Sequence, residues 1–101
     1  MALDRLVHEP ARLLILAVLS GAKAVEFGFL EQMSGLSKGN LSSHMSKLEA
    51  GGLIAVKKSF RGKRPLTRVA ITGQGRDALE RYRRQIAELI KSAPTSNEET
   101  S

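Results

Sequence analysis

Apolar positions open the chain in a helical rhythm. Leu3, Leu6, Val7, Ala11 and Leu14 lead into Ile15, Leu16, Ala17, Val18 and Leu19, with Pro10 suited to a first helical turn and Gly21 to an end. A first helix is predicted here. The stretch Leu13 to Leu19 is apolar nearly all round, so one face can serve the domain core while another needs a second cover. A subunit interface is one way to supply it.

Val25, Phe27, Leu30 and Met33 then recur at near-helical spacing before Ser34-Gly35. This predicts a brief extended segment, a short second helix ending at Gly35, and a tight turn. Ser37 can cap the next helix, in which Leu41, Met45 and Leu48 fall at i, i+4 and i+7 and form a narrow buried stripe, before Gly51-Gly52 stops it.

The period then changes to two. Ile54 and Val56 alternate with Ala55 and Lys57, the run Arg61-Gly62-Lys63-Arg64-Pro65 interrupts, and Val69 and Ile71 alternate with Arg68 and Ala70. That pattern predicts a hairpin with a basic tip. Thr72 can cap a final helix carrying Leu79, Tyr82, Ile86 and Leu89, whose alternating steps of three and four match a short coiled-coil-like seam.

The seam has two readings. It can pack back onto its own domain, or it can join a second copy. A helix this long would overhang so small a core, which favours a dimer surface built from Leu6, Leu13 and Leu16 with Leu79, Tyr82, Ile86 and Leu89. From Ser92 onward the residues are small, polar or acidic, so a domain over 1–91 and a disordered polar tail over 92–101 are expected. No internal repeat is evident.

Composition narrows the picture. With 101 residues, 42% hydrophobic and 26% charged, the chain suits one domain with one core. The 16 Lys and Arg exceed the 10 Asp and Glu, giving a formal charge of +6, which favours a polyanionic partner, nucleic acid or an anionic membrane surface. The absence of Cys removes disulfides, thiolate metal sites and thiol sensing, and suggests an intracellular setting. The longest apolar run is far short of the roughly 20 residues of a membrane span. Asp4 and Glu9 stand where a signal peptide would be basic. A cytoplasmic protein without a membrane partner is expected.

The exposed arc of the third helix carries Gly39, Asn40, Ser43, Ser46 and Lys47, with Ser42 and His44 at its flanks and Lys38 at its start. Small hydroxyl residues allow close approach to a duplex whose major groove, about 12 Å wide, admits one helix. Asn40 suits an adenine edge, and Lys38 or Lys47 a guanine or a phosphate. The plainer reading is a solvated face, but serine is a mediocre helix former, and three within five positions need another reason.

At the hairpin tip Arg61, Lys63 and Arg64 surround Gly62, with Lys57, Lys58 and Arg68 on the adjoining strands. Such a loop neutralises phosphates and releases counterions. Edge lysines that discourage sheet aggregation would explain Lys57 and Lys58, though three tip cations less well. His8 and His44 make no recognisable metal set without Cys, so neither metal nor cofactor is expected. No nucleophile with a base at motif spacing and no glycine-rich phosphate loop is present, so an enzyme is not expected.

The segment from Gly35 to Ile54, containing Ser37-Lys38-Gly39-Asn40-Leu41-Ser42-Ser43-His44-Met45-Ser46-Lys47-Leu48-Glu49-Ala50-Gly51-Gly52, resembles the recognition segment of winged helix-turn-helix regulators related to the MarR and ArsR groups. Lys63-Arg64-Pro65, and Ile71-Thr72 followed by Gly75-Arg76, are similar to their wing and strand-to-helix junction. The resemblance implies a mainly α fold with a small β-hairpin wing and a homodimer joined through its first and last helices. It implies a palindromic double-stranded DNA site read by helix three of each subunit. By position it assigns Lys38, Gly39, Asn40, Ser42, Ser43, Ser46 and Lys47 to the groove, and Arg61, Lys63 and Arg64 to the wing tip. The chain departs from the metal-sensing branch, which uses Cys-rich or His-rich sets, and is shorter than the typical drug-responsive regulators whose extra helices enclose a ligand pocket, so the resemblance implies no particular effector.

The leading reading is a sequence-specific transcriptional regulator. The alternatives are a sequence-tolerant DNA-coating protein using the same basic surface, and a winged-helix module that binds protein instead.

Overall fold

The computed structural model describes residues 4–93. Leu3 of the first apolar pattern lies outside the described residues, as does the expected 92–101 tail from Pro94 onward; its first residue, Ser92, instead closes the last helix and Ala93 caps it. The elements run α1 (Pro10–Ser20), β1 (Val25–Glu26), α2 (Phe27–Ser34), α3 (Lys38–Ala50), β2 (Ile54–Arg61), β3 (Arg64–Ile71) and α4 (Gly73–Ser92).

Side chains satisfy backbone N–H groups that helix starts leave unpaired. The Glu9 carboxylate accepts from the Arg12 N–H at 3.0 Å, with Pro10 in the first helical position. The Ser37 hydroxyl accepts from Asn40 N–H at 3.2 Å and the Thr72 hydroxyl from Gly75 N–H at 2.9 Å. Between α2 and α3 the chain reverses through Gly35, whose φ of 70° lies in the left-handed region, where a side chain would cost roughly 1–2 kcal/mol.

β3 is the centre of a three-stranded antiparallel sheet in the order β1-β3-β2. The extended segment expected before the second helix supplies the third strand, with Val25 opposite Val69 and Glu26 opposite Arg68. The hairpin is longer than its interrupted pattern predicts. β2 and β3 stay paired from Ile54↔Ile71 to Arg61↔Arg64, so Gly62 and Lys63 alone form the turn. Gly62, at φ 64°, occupies the first central position, where two-residue hairpin turns of the right twist require a positive φ.

Ile15, Leu16 and Leu19 of α1, Leu30 of α2, Leu41, Met45 and Leu48 of α3, and Ile54, Val69 and Ile71 of the sheet form one buried cluster. The stripe read from helix three is therefore its buried face. Thr72 fixes the junction into α4: its hydroxyl donates to the Gly52 carbonyl at 2.6 Å and its N–H to the Leu53 carbonyl at 3.0 Å. α4 buries Gly75, Ala78 and Tyr82 in its first half. Farther along it leaves Leu89 and Ile90 43% and 70% exposed.

Candidate nucleic-acid interface

With Leu41, Met45 and Leu48 fixed in the core and His44 half-buried beside them, the remaining positions of α3 face outward. Lys38, Gly39, Asn40, Ser42, Ser43, Ser46 and Lys47 are all exposed. The fold divides them. Lys38, Ser42 and Ser46 line a cleft of about 400 Å³ between α3 and the sheet, together with Glu49, Phe27, Val56, Lys58 and Thr67. Gly39, Asn40, Ser43 and Lys47 stand clear of the cleft, on the open side of the helix.

The other wall follows from strand parity. Ile54, Val56, Lys58 and Phe60 share the face of β2 that meets the domain, opposite Ile71, Val69, Thr67 and Pro65. Val56 is half-buried, and Lys58 and Phe60, nearer the tip, are exposed. The sequence pattern names Lys58 only among the strand cations beside the wing tip and gives Thr67 and Glu49 no role. The alternation from Val56 already puts Lys58 on the inner face, but pairing it with Thr67 requires the two-residue turn.

The opposite face of the hairpin sets like charges side by side. Lys57 pairs with Arg68, and Arg61 with Arg64, an arrangement that costs stability unless an anion intervenes. Glu26 reaches Arg61 at 3.0 Å, so one of the expected wing contacts is held toward β1. Both members of this ion pair are exposed, and such pairs contribute about 0–1 kcal/mol, which leaves Arg61 exchangeable. Lys63 occupies the turn, beside the Arg61–Arg64 closing pair.

His44, on the flank of α3, lies 3.9 Å from the Glu9 carboxylate and so connects the start of α1 to the middle of α3. The Glu9 carboxyl is held below its ordinary value of 4.5 chiefly by the Arg12 N–H. Burial opposes this, and Ala11 N–H and the charges of His44 and Arg12 assist it.

The residues expected at a subunit surface do not share one exposed face. Leu16 is 0% exposed; with Ile15 and Leu19 it forms the inward stripe of α1, so it belongs to the core. Leu6 is half-buried and packs on the core beside Gly51. Leu13, Leu79, Tyr82 and Ile86 line an apolar groove of about 300 Å³ between α1 and α4, completed by Ala17, Ser20 and Arg83. Tyr82, 8% exposed, serves the core as well. Leu89 stands exposed farther along α4. At the rim Arg83 donates two hydrogen bonds to Glu80, at 3.1 and 2.7 Å. The first cause lowering the Glu80 carboxyl is that side-chain bonding.

Among the described residues no group of three or more His, Cys, Asp or Glu is placed to hold a metal ion. No helix there is long and apolar enough to cross a membrane.

Comparison with known proteins agrees with this arrangement. An uncharacterised protein of Methanocaldococcus jannaschii is 36% identical over 88 residues, 87% of this chain and 96% of the relative. The structure of a transcriptional regulator homologue from Pyrococcus horikoshii superposes with a TM-score of 0.81 at 30% identity, covering 87% of each chain. A MarR-family transcriptional regulator from Silicibacter pomeroyi shares the fold, with a TM-score of 0.63 at 22% identity over 94% of this chain and 66% of its own. The family model for the winged helix DNA-binding domain matches residues 11–90. The chain therefore belongs to the winged helix DNA-binding domain family, with α3 as its third helix and the β2–β3 hairpin as its wing.

Proposed function

We propose that the protein is a sequence-specific, double-stranded DNA-binding transcriptional regulator that works as a homodimer on an inverted repeat. The observation that carries this reading is the cleft shared by α3 and the wing, where Lys38, Ser42 and Ser46 on one wall face Lys58 and Thr67 on the other. A phosphate strand passing along the cleft meets both lysines, while Asn40, Ser43 and Lys47 on the open side of α3 reach base edges in the major groove. Lys63 and Arg64, with Arg61 once it exchanges Glu26 for phosphate, extend the footprint past the groove edge.

The apolar groove between α1 and α4 supports the dimer. A second copy's Leu13, Leu79, Ile86 and Leu89 would cover the same residues of the first, as a two-fold interface demands. The transcriptional regulator homologue from Pyrococcus horikoshii supports the regulatory part of the reading.

Duplex binding followed across a salt series tests the assignment of roles. Neutralising Arg61, Lys63 and Arg64 together should weaken all duplexes alike and reduce the salt slope by about 2–3. Asn40→Ala should change preference among sequences and leave that slope nearly intact. An unchanged slope in the wing variant would refute the wing's assignment as the phosphate-binding element.

A further inference from the structure

Among the described residues Phe60 is the most exposed large apolar side chain, 72% accessible, and it sits where a strand end needs no hydrophobe. Its cross-strand partner is Pro65, also exposed. Both lie on the face of the hairpin that, two residues farther in, presents Lys58 and Thr67 to the cleft beside α3. An apolar pair thus continues the cleft outward from Lys58, with Lys63 in the turn beyond it and the adjacent Arg61–Arg64 pair on the hairpin's other face. Isolated exposed hydrophobes need no explanation in general. This one is an aromatic set among cations, at the distal end of a projecting hairpin.

We infer that Phe60 is an apolar wedge that enters the minor groove beside the α3 footprint and partly unstacks a base step there, with Pro65 backing its ring. The cations around it hold the phosphates on either side of the groove. The ring supplies what they lack, an apolar surface for base and sugar edges exposed by opening the step. Pyrimidine–purine steps such as TA unstack most cheaply, so the wedge gives the protein a preference at a position where no hydrogen bond is made. The inference rests on the DNA-binding reading above.

The test uses the full chain and an alternating dA-dT duplex in which one adenine is replaced by 2-aminopurine, whose fluorescence rises on unstacking. Anisotropy of an end label reports binding in the same titration. At saturating anisotropy the wild type should raise the 2-aminopurine signal, Phe60→Leu should keep part of the rise, and Phe60→Ser should lose it. Phe60→Ser should retain the wild-type salt slope and melting temperature, since its side chain is solvent-facing. A rise that persists in Phe60→Ser, or no rise in the wild type at full binding, overturns the wedge. Self-association lost in Phe60→Ser with the DNA signals unchanged would assign the patch to a second copy and overturn it equally. No anisotropy change on this duplex or on random-sequence duplex at low salt, where phosphate contacts alone give binding, would instead refute the DNA-binding reading.

Discussion

His8 Nδ1 and the Tyr82 hydroxyl lie 2.7 Å apart, joining the segment ahead of α1 to α4 across 74 positions of sequence. The rings pack at 5.6 Å between centroids. This bond fixes α4 against the N-terminal segment at its last fully buried position, one turn before the half-buried Ile86, and so sets the direction in which the helix carries Ile86 and Leu89.

Tyr82→Phe removes this hydrogen bond and keeps the ring. It should cost about 0.5–1.5 kcal/mol in urea unfolding at fixed protein concentration. Tyr82→Ala, which also empties the space of the ring, should cost about 3–5 kcal/mol. Equal losses in the two variants would show that the hydroxyl, rather than the packing, is what α4 depends on.

Glu9 gives the fold an acid-sensitive point. Its carboxyl titrates below the ordinary 4.5 in the folded chain, first because Arg12 N–H bonds the charged form. A depressed folded value means that its stabilising contribution is complete above the unfolded value and is lost as pH falls through the folded one. Thermal melts taken from neutral pH downward should therefore show the melting temperature of Glu9→Gln falling less steeply in the acid range. At neutral pH the variant should melt below the wild type.

Size, not flexibility, decides Gly75. A Cβ there would run into the Leu53 carbonyl and come within 2.8 Å of Ile71 Cγ1. Gly75→Ala should destabilise by about 1–3 kcal/mol despite alanine's better helix propensity, worth about 1 kcal/mol. Gly73→Ala, where a Cβ meets nothing within 4 Å, is the control and should be neutral or mildly stabilising. Melting temperatures of the pair check both signs.

A charge in the α1–α4 groove tests the dimer. Ile86→Asp, or Leu89→Asp at the more exposed position, should give monomers in sedimentation velocity with weakened binding to a palindromic duplex. Dimers that survive both substitutions would place the interface elsewhere.

The helices were legible because their signals are local. Ser37 and Thr72 cap where hydroxyls are expected to, Gly35 turns where it is expected to, and the spacing of Leu41, Met45 and Leu48 states which side of α3 is buried. What escaped the sequence depends on distant partners. The five residues from Arg61 to Pro65 look like a loop, since Pro and Gly interrupt the alternation, yet β3 carries Pro65 at a point where β1 does not reach it. Missing that register hid the Lys58–Thr67 wall of the cleft and the like-charge pairs. The burial of Leu16 escapes the pattern for a related reason. In a helix apolar nearly all round, periodicity cannot tell the stripe that meets the sheet from the one left over.

Selection of bound duplexes from a random pool at near-physiological salt, followed by sequencing, tests the central claim most directly. The expected result is an inverted repeat whose half-sites lie about one helical turn apart, roughly 10 base pairs centre to centre, as two copies of α3 in successive major grooves require. Enrichment without any motif, or none at all, would contradict a dimeric, sequence-specific regulator.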